Sequence, residues 1–154
     1  MTEGKLTVGD WMTADPVTVE EDATVLEAIH LLKERNIRRL PVMRAGRLVG
    51  LVTEKMLLGY MPAQATSLDQ WELHYLLSRT PVRVAMNSTP HTVTPETPLA
   101  DAARLLHDRK LNGVLVMNAR GDLVGLLTTT DALEALVHFT TLATRAGARD
   151  HHPE

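Results

Sequence analysis

The hydrophobic positions along the chain change their period several times, and those changes mark its elements. Alternation around Val17–Val19 and again around Thr92–Thr94 predicts two short strands. After each comes a helical stripe with apolar residues three and four apart: Val25, Ala28, Ile29 and Leu32 in the first, Leu99, Ala102, Ala103 and Leu106 in the second. Asp22 or Thr24 caps the first helix, and Thr97 caps the second with Pro98 in its first turn. Two apolar, β-branched runs follow in each case, Leu40–Met43 with Leu48–Thr53 and Val114–Met117 with Leu123–Leu127. They are joined at Ala45-Gly46 and Arg120-Gly121, which predicts two hairpins. A helix closes each set, over Glu54 to about Met61 and over Thr129 to about Thr141.

The same five elements in the same order are an internal repeat. An offset of 74 residues superposes Val8 on Val82, Met12 on Met86, Pro16 on Pro90, Ala28 on Ala102, Leu32 on Leu106 and Val42 on Val116. One inserted residue near Arg120 changes the offset to 75, and Leu48-Val49-Gly50-Leu51 then meets Leu123-Val124-Gly125-Leu126. Each unit reads strand, helix, strand, strand, helix. Neither is long enough to bury both faces of its sheet alone, so the two are expected to pack about a pseudo-twofold axis, leaving two related clefts.

The boundaries read 6–62 for the first repeat, 63–81 for a connector, 82–141 for the second repeat and 142–154 for a polar, frayed tail. The connector is itself helical from Ser67 or Asp69 to Ser78. Trp71, Tyr75 and Leu76 on one side and Leu73 with Leu77 on another are too much apolar surface for a solvated linker. Packing on the repeats or on another subunit is expected. The stripes Leu133, Leu136, Val137 and Met56, Leu57, Tyr60, Met61 read first as core and second as places where two chains meet.

Composition narrows the function classes. The 154 residues carry a net charge of −3, with basic residues scattered, so the positive face of a nucleic-acid binder is absent. Only 3% of residues are aromatic, which disfavours base stacking on aromatic side chains. No cysteine is present, so disulfides, thiolate zinc sites and cysteine nucleophiles are excluded. Seven histidines show neither HxH nor HxxxH spacing among His30, His74, His91, His107 and His138, and His151-His152 reads as tail, so no metal site is expected. With no signal-like segment and no apolar run of membrane length, a cytoplasmic protein is expected.

Asp10-Trp11-Met12-Thr13 with Pro16-Val17-Thr18-Val19, then Ile37-Arg38-Arg39-Leu40-Pro41-Val42, then Leu48-Val49-Gly50-Leu51-Val52-Thr53 resemble a CBS (cystathionine β-synthase) repeat. Met86, Pro90, Thr92-Val93, Val114-Leu115-Val116, Leu123 to Thr128 and Asp131 resemble a second copy. The connector, through Trp71-Glu72-Leu73-His74-Tyr75, is similar to that of the CBS segment of acetoin utilisation protein B. That subfamily commonly carries a further C-terminal ACT-type domain; the expectation here is a CBS pair without it. The implied fold class is α/β (α+β): two β-α-β-β-α repeats with a helical connector.

The resemblance also implies a ligand, an adenine nucleotide (AMP, ADP or ATP) in a cleft between the repeats. In this family a Thr or Ser and an Asp three residues on, at the start of the closing helix, hold the ribose, since a carboxylate accepts from both ribose hydroxyls. Basic residues ahead of the Leu-Pro-Val strand meet the phosphates. Carried over, the second copy supplies Thr128, Thr130 and Asp131, where the first has Thr53 but Met56 in place of the Asp. The first supplies Arg38 and Arg39, where the second has Asn112 and Gly113. One whole site is expected, with Pro90, His91 and Leu111 near the base, and the Met56 side is expected to bind poorly.

The implied role is a regulatory homodimer, not an enzyme, that senses its ligand and acts on an effector protein. The alternatives are a structural dimerisation module with a decayed nucleotide site and a sensor of an adenosyl ligand such as S-adenosylmethionine. By default Asp131 is a helix cap, and Arg38 and Arg39 are solvated strand-edge charges.

Overall fold

The computed structural model describes residues 6–60 and 68–150. An entry segment carries α1 (Val8–Trp11) and β1 (Thr13–Ala14). The first repeat follows as β2 (Val19–Glu20), α2 (Val25–Arg35), β3 (Arg39–Arg44), β4 (Arg47–Thr53) and α3 (Glu54–Gly59). After the connector helix α4 (Gln70–Leu77) and a 3-10 turn at Val82–Val84 come β5 (Thr92–Val93), α5 (Leu99–Arg109), β6 (Gly113–Met117), β7 (Leu123–Thr128) and α6 (Thr129–Asp150). The order of elements in both repeats is the one their hydrophobic pattern predicts.

Within each repeat the first helix crosses between parallel strands, β2 beside β3 and β5 beside β6, as a parallel pair requires. Both hairpins turn through left-handed backbone. Ala45 and Gly46 have φ of 51° and 79°, the signs of a type I′ turn, and Gly121 has φ of 86°. The helices before β3 and β6 also end alike. Asn36 and Lys110 take left-handed φ of 54° and 56°, and the next N–H, of Ile37 or Leu111, returns to Leu32 or Leu106 O at 3.0 and 2.9 Å.

The compact units do not follow the repeat boundaries. One comprises the entry segment to Ala14 with Thr92–Arg120 and the chain from Val124; the other comprises Asp15–His91 with Gly121–Leu123. Each repeat is therefore completed by the segment that precedes the other in sequence. Val8 is fully buried in a core with Ala102, Leu106, Val114, Val116 and Leu127, while Val82 is fully buried among Val25, Ala28, Leu32, Leu40, Val42 and Val52.

The backbone bonds repeat the exchange. Leu99 N–H, at the start of α5, donates to Leu6 O at 2.8 Å, and Val25 N–H, at the start of α2, donates to Thr80 O at 2.7 Å. Each satisfies one orphan donor of a helix N-terminus. This alters one predicted cap. Pro98, not Thr97, occupies the N-cap position of α5, and Thr97 Oγ1 instead accepts from Thr94 N–H at 3.0 Å. Thr24 does cap α2, in a reciprocal box with Glu27, and Asp22 is left to pair with Arg83. Asp69 caps α4 through Glu72 N–H at 2.8 Å; the alternative cap Ser67, like Met61 and His151-His152, lies outside the described residues.

Three further expectations need correction. The first strand starts at Val19 rather than Val17, because its parallel ladder begins at Val19 opposite Val42. The closing helix α6 does not stop near Thr141 but continues to Asp150, and its mid-helix threonines return their hydroxyls to the helix, Thr140 to Leu136 O and Thr144 to Thr140 O. Leu133, Leu136 and Val137 are not core, being 55%, 56% and 62% exposed. The connector is anchored on its own unit by Leu77, but Trp71 and Tyr75 stand exposed, with the Arg79 guanidinium 4.8 Å from the Tyr75 ring centre. Among the described residues no helix is long and apolar enough to cross a membrane.

Backbones approach closely where each entry segment meets the last strand of its unit. Thr13 pairs with Leu126 and Ala14 with Gly125; in the other unit Asn87 bridges Leu51 with two bonds of 2.9 Å. A Cβ on Gly125 would stand 2.9 Å from Thr13 O and 2.6 Å from Met12 Sδ, and one on Gly50 2.9 Å from Asn87 O and 2.5 Å from Met86 Sδ. The thioethers can move aside but the carbonyls cannot. Gly125→Ala and Gly50→Ala are each expected to cost roughly 1–3 kcal/mol. Urea titration checks this, and either variant unfolding at the wild-type midpoint would contradict the contact.

The α2 box gives a second test. The backbone N–H of Thr24 and then its hydroxyl hold the Glu27 carboxyl below its ordinary 4.5. A depressed carboxyl stabilises the fold above its unfolded value and loses that contribution as pH falls through its folded value. Glu27→Gln should therefore lower the melting temperature at pH 7 and converge on wild type toward pH 3. A constant difference across that range would refute the assignment.

Candidate functional site

The closing helices start the same way and diverge at their third residue. In the first repeat β4 ends at Thr53, whose hydroxyl accepts Met56 N–H at 3.1 Å. In the second, β7 ends at Thr128, whose hydroxyl accepts Asp131 N–H at 3.2 Å while Asp131 Oδ2 accepts Thr128 N–H at 2.9 Å. The carboxylate closes a capping box that a thioether cannot close. Glu54 and Thr129, the first residues of the two helices, donate their N–H groups to Arg38 O and Asn112 O at 2.8 and 3.0 Å. Arg38 and Asn112 are equivalent in the repeat, so each closing helix hangs from the residue just before its central strand.

The Asp131 carboxylate is half-exposed and has capacity to spare. Among the described residues its partners are Thr128 N–H and the hydroxyl of Thr13, 3.4 Å from both oxygens. An ionised carboxylate offers about four acceptor positions, so capping and ligand binding do not exclude one another. The site also lies at the amino end of a 22-residue helix, where backbone N–H groups and the helix dipole favour electron-rich partners.

The structure thus brings Thr128 and Asp131 together, with Thr130 exposed in the first turn of α6. Leu111 belongs to the same unit and lines a groove of about 580 Å3 between α5 and α6 with His107, Asn112, Thr129, Ala132 and Leu136. Arg38, Arg39, Pro90 and His91 belong to the other unit. Arg38 is exposed in the turn before β3, and Arg39 opens β3 opposite Thr53. Pro90 is half-buried and His91 exposed, just ahead of β5. No group of histidine and carboxylate side chains suited to a metal ion occurs among the described residues.

Thr13 was not legible as a site residue. It comes from the entry segment, 118 positions from Asp131, and its repeat equivalent is Asn87, whose side chain instead accepts Thr89 N–H in a local turn at 3.0 Å. Only the pairing of β1 with β7 reveals it.

Known proteins agree with this architecture. A solved structure of CBSX2 in complex with AMP is 34% identical, covers 88% of this chain and 98% of that one, and superposes with a TM-score of 0.72; CBSX2 is a protein of Arabidopsis thaliana. An acetoin utilization protein (AcuB) from Vibrio cholerae is 25% identical over 96% of this chain and 98% of that one, at 0.74. The CBS domain of a bacterial CNNM/CorC-family Mg2+ transporter in complex with ATP is 25% identical over 86% and 88%, at 0.70. The chain spans only 25% and 14% of two longer curated relatives. These are the homoserine O-acetyltransferase of Methanohalophilus mahii and the A-adding tRNA nucleotidyltransferase of Aquifex aeolicus, 30% and 32% identical over 87% and 86% of this chain. The family model of the CBS domain matches twice, over residues 8–63 and 82–138. The chain belongs to the CBS-domain family, as a tandem pair.

Proposed function

We propose that this CBS pair is a cytoplasmic regulatory module that binds an adenine nucleotide (AMP, ADP or ATP) and passes the binding on to an effector protein. The observation that carries the reading is the Thr128–Asp131 pair, a fixed carboxylate with unfilled acceptor positions at the amino end of α6. In this reading Asp131 accepts from the ribose hydroxyls and Thr128 and Thr130 flank it. Arg38 and Arg39 take the phosphate, and Pro90, His91 and Leu111 border the base. The AMP and ATP held by the CBSX2 and transporter CBS structures support the ligand class. Two arginines favour a phosphorylated ligand over S-adenosylmethionine. Met56 in the first repeat gives no second ribose acceptor, so one nucleotide binds per chain.

Calorimetry with AMP, ADP, ATP, adenosine and S-adenosylmethionine tests this. Asp131→Asn keeps an oxygen for Thr128 N–H but removes the charged acceptor, so it separates ligand binding from capping. A hydrogen bond to a charged group is worth about 1.5–3 kcal/mol, so the variant should bind AMP roughly 10- to 150-fold more weakly at an unchanged melting temperature. Arg38→Ala with Arg39→Ala should weaken AMP and leave adenosine unaffected. Wild-type affinity in Asp131→Asn, or two nucleotides per chain, would sink the proposal.

A second reading, a structural dimerisation module, is favoured by the bare apolar face of α6 at Leu133, Leu136 and Val137. Isolated apolar residues on a surface are ordinary, but three on one helical face beside an apolar groove make an association surface. We propose a homodimer through this face, compatible with either role. Leu136→Glu should convert the dimer to monomer in sedimentation velocity; a dimer that persists would place the contact elsewhere. Dimerisation with no nucleotide binding at all would leave this second reading standing alone.

A further inference from the structure

The Thr13 hydroxyl stands 3.4 Å from Asp131 Oδ1 and 3.4 Å from Oδ2. Equal distances put it on the plane that bisects the carboxylate. A vicinal diol held by a carboxylate places one hydroxyl on each oxygen, so its two donors straddle that same plane. A hydroxyl already on it stands between them. The contact is also long for a hydroxyl donor, which ordinarily lies about 2.7–2.8 Å from its acceptor, so it is weak and easily exchanged.

We infer that Thr13 is a latch on Asp131. Its hydroxyl occupies the bidentate position of the carboxylate in the free protein and is displaced by the ribose diol, so the entry segment Leu6–Ala14 reports whether the site is filled. The inference rests on the ribose assignment made above. The fold makes the report mechanical. Thr13 is one of only two β1 residues, held to β7 through Leu126 and Gly125. The residues just before it form α1, whose Trp11 ring packs against His138 and Phe139 of α6 at 5.3 and 5.9 Å between ring centres. A change at Thr13 therefore acts on a short ladder and on a contact with the same helix whose amino end holds the ligand. The first repeat has no counterpart, because Met56 offers no carboxylate and Asn87 turns its side chain to Thr89.

The latch predicts a sign that a merely supportive residue would not. Thr13→Val keeps the shape and removes the competing hydroxyl, so AMP should bind about three- to tenfold more tightly, the worth of one modest hydrogen bond. Thr13→Ser restores the hydroxyl and should bind like wild type. Hydrogen exchange of the Thr13 and Ala14 amides should quicken when AMP binds the wild type and stay unchanged when it binds Thr13→Val. AMP binding that is equal or weaker in Thr13→Val, or altered in Thr13→Ser, overturns the latch while leaving the nucleotide site intact. Absence of AMP binding in the wild-type chain overturns both.

Discussion

The fold depends on each repeat lending its entry segment to the other. A helix that begins in a packed core leaves donors that need acceptors, and here the acceptors are not local. Leu6 O serves α5 and Thr80 O serves α2. The same segments then run on to lie against β7 and β4, where Gly125 and Gly50 allow carbonyl oxygens of Thr13 and Asn87 closer than any side chain would. Between those two attachments Val8 and Val82 fill their cores completely. Neither repeat contains all of its own parts, so cutting the chain at the repeat boundary would remove from each half a cap, a strand contact and a buried valine.

That constraint also locates the candidate site. The entry segment brings Thr13 alongside the end of β7, and β7 runs directly into the box formed by Thr128 and Asp131. The α5 terminus contributes in parallel. Its left-handed Lys110 reverses the chain so that Asn112 O meets the first N–H of α6. The carboxylate is thus held by Thr128, on a helix start that itself hangs from Asn112 O, which is what a binding group needs if it is not to spend affinity on becoming ordered.

Local chemistry was legible in the sequence and partnership was not. The strand and helix order, both hairpins, and the Thr24 and Asp69 caps follow from spacings of a few residues, and they stand. The Thr97 cap fails because Pro98 shifts the helix start and a carbonyl from Leu6 takes over the donor, an exchange invisible to a local pattern. Hydrophobic period put the stripe Leu133, Leu136, Val137 first in the core, and it is exposed, because a period identifies an apolar face but not what covers it. Thr128 with Asp131 could be read from the repeat alignment because their contact is three residues long. Thr13 could not, since nothing local links it to a carboxylate 118 positions away.

The two closing helices weigh the roles of Asp131 against each other. Were its carboxylate present only to cap, the shorter helix would need it more, since a short helix has few internal bonds to offset its open end and a cap contributes about 0.5–2 kcal/mol whatever the length. The distribution is the reverse. The six-residue α3 starts with Thr53 alone and has Met56 at the third position, while the 22-residue α6 carries the complete box. The threonine hydroxyl suffices to start a helix in both repeats. The added carboxylate sits where stability requires it least, a distribution that fits the ligand-binding role proposed for Asp131 better than a capping role alone.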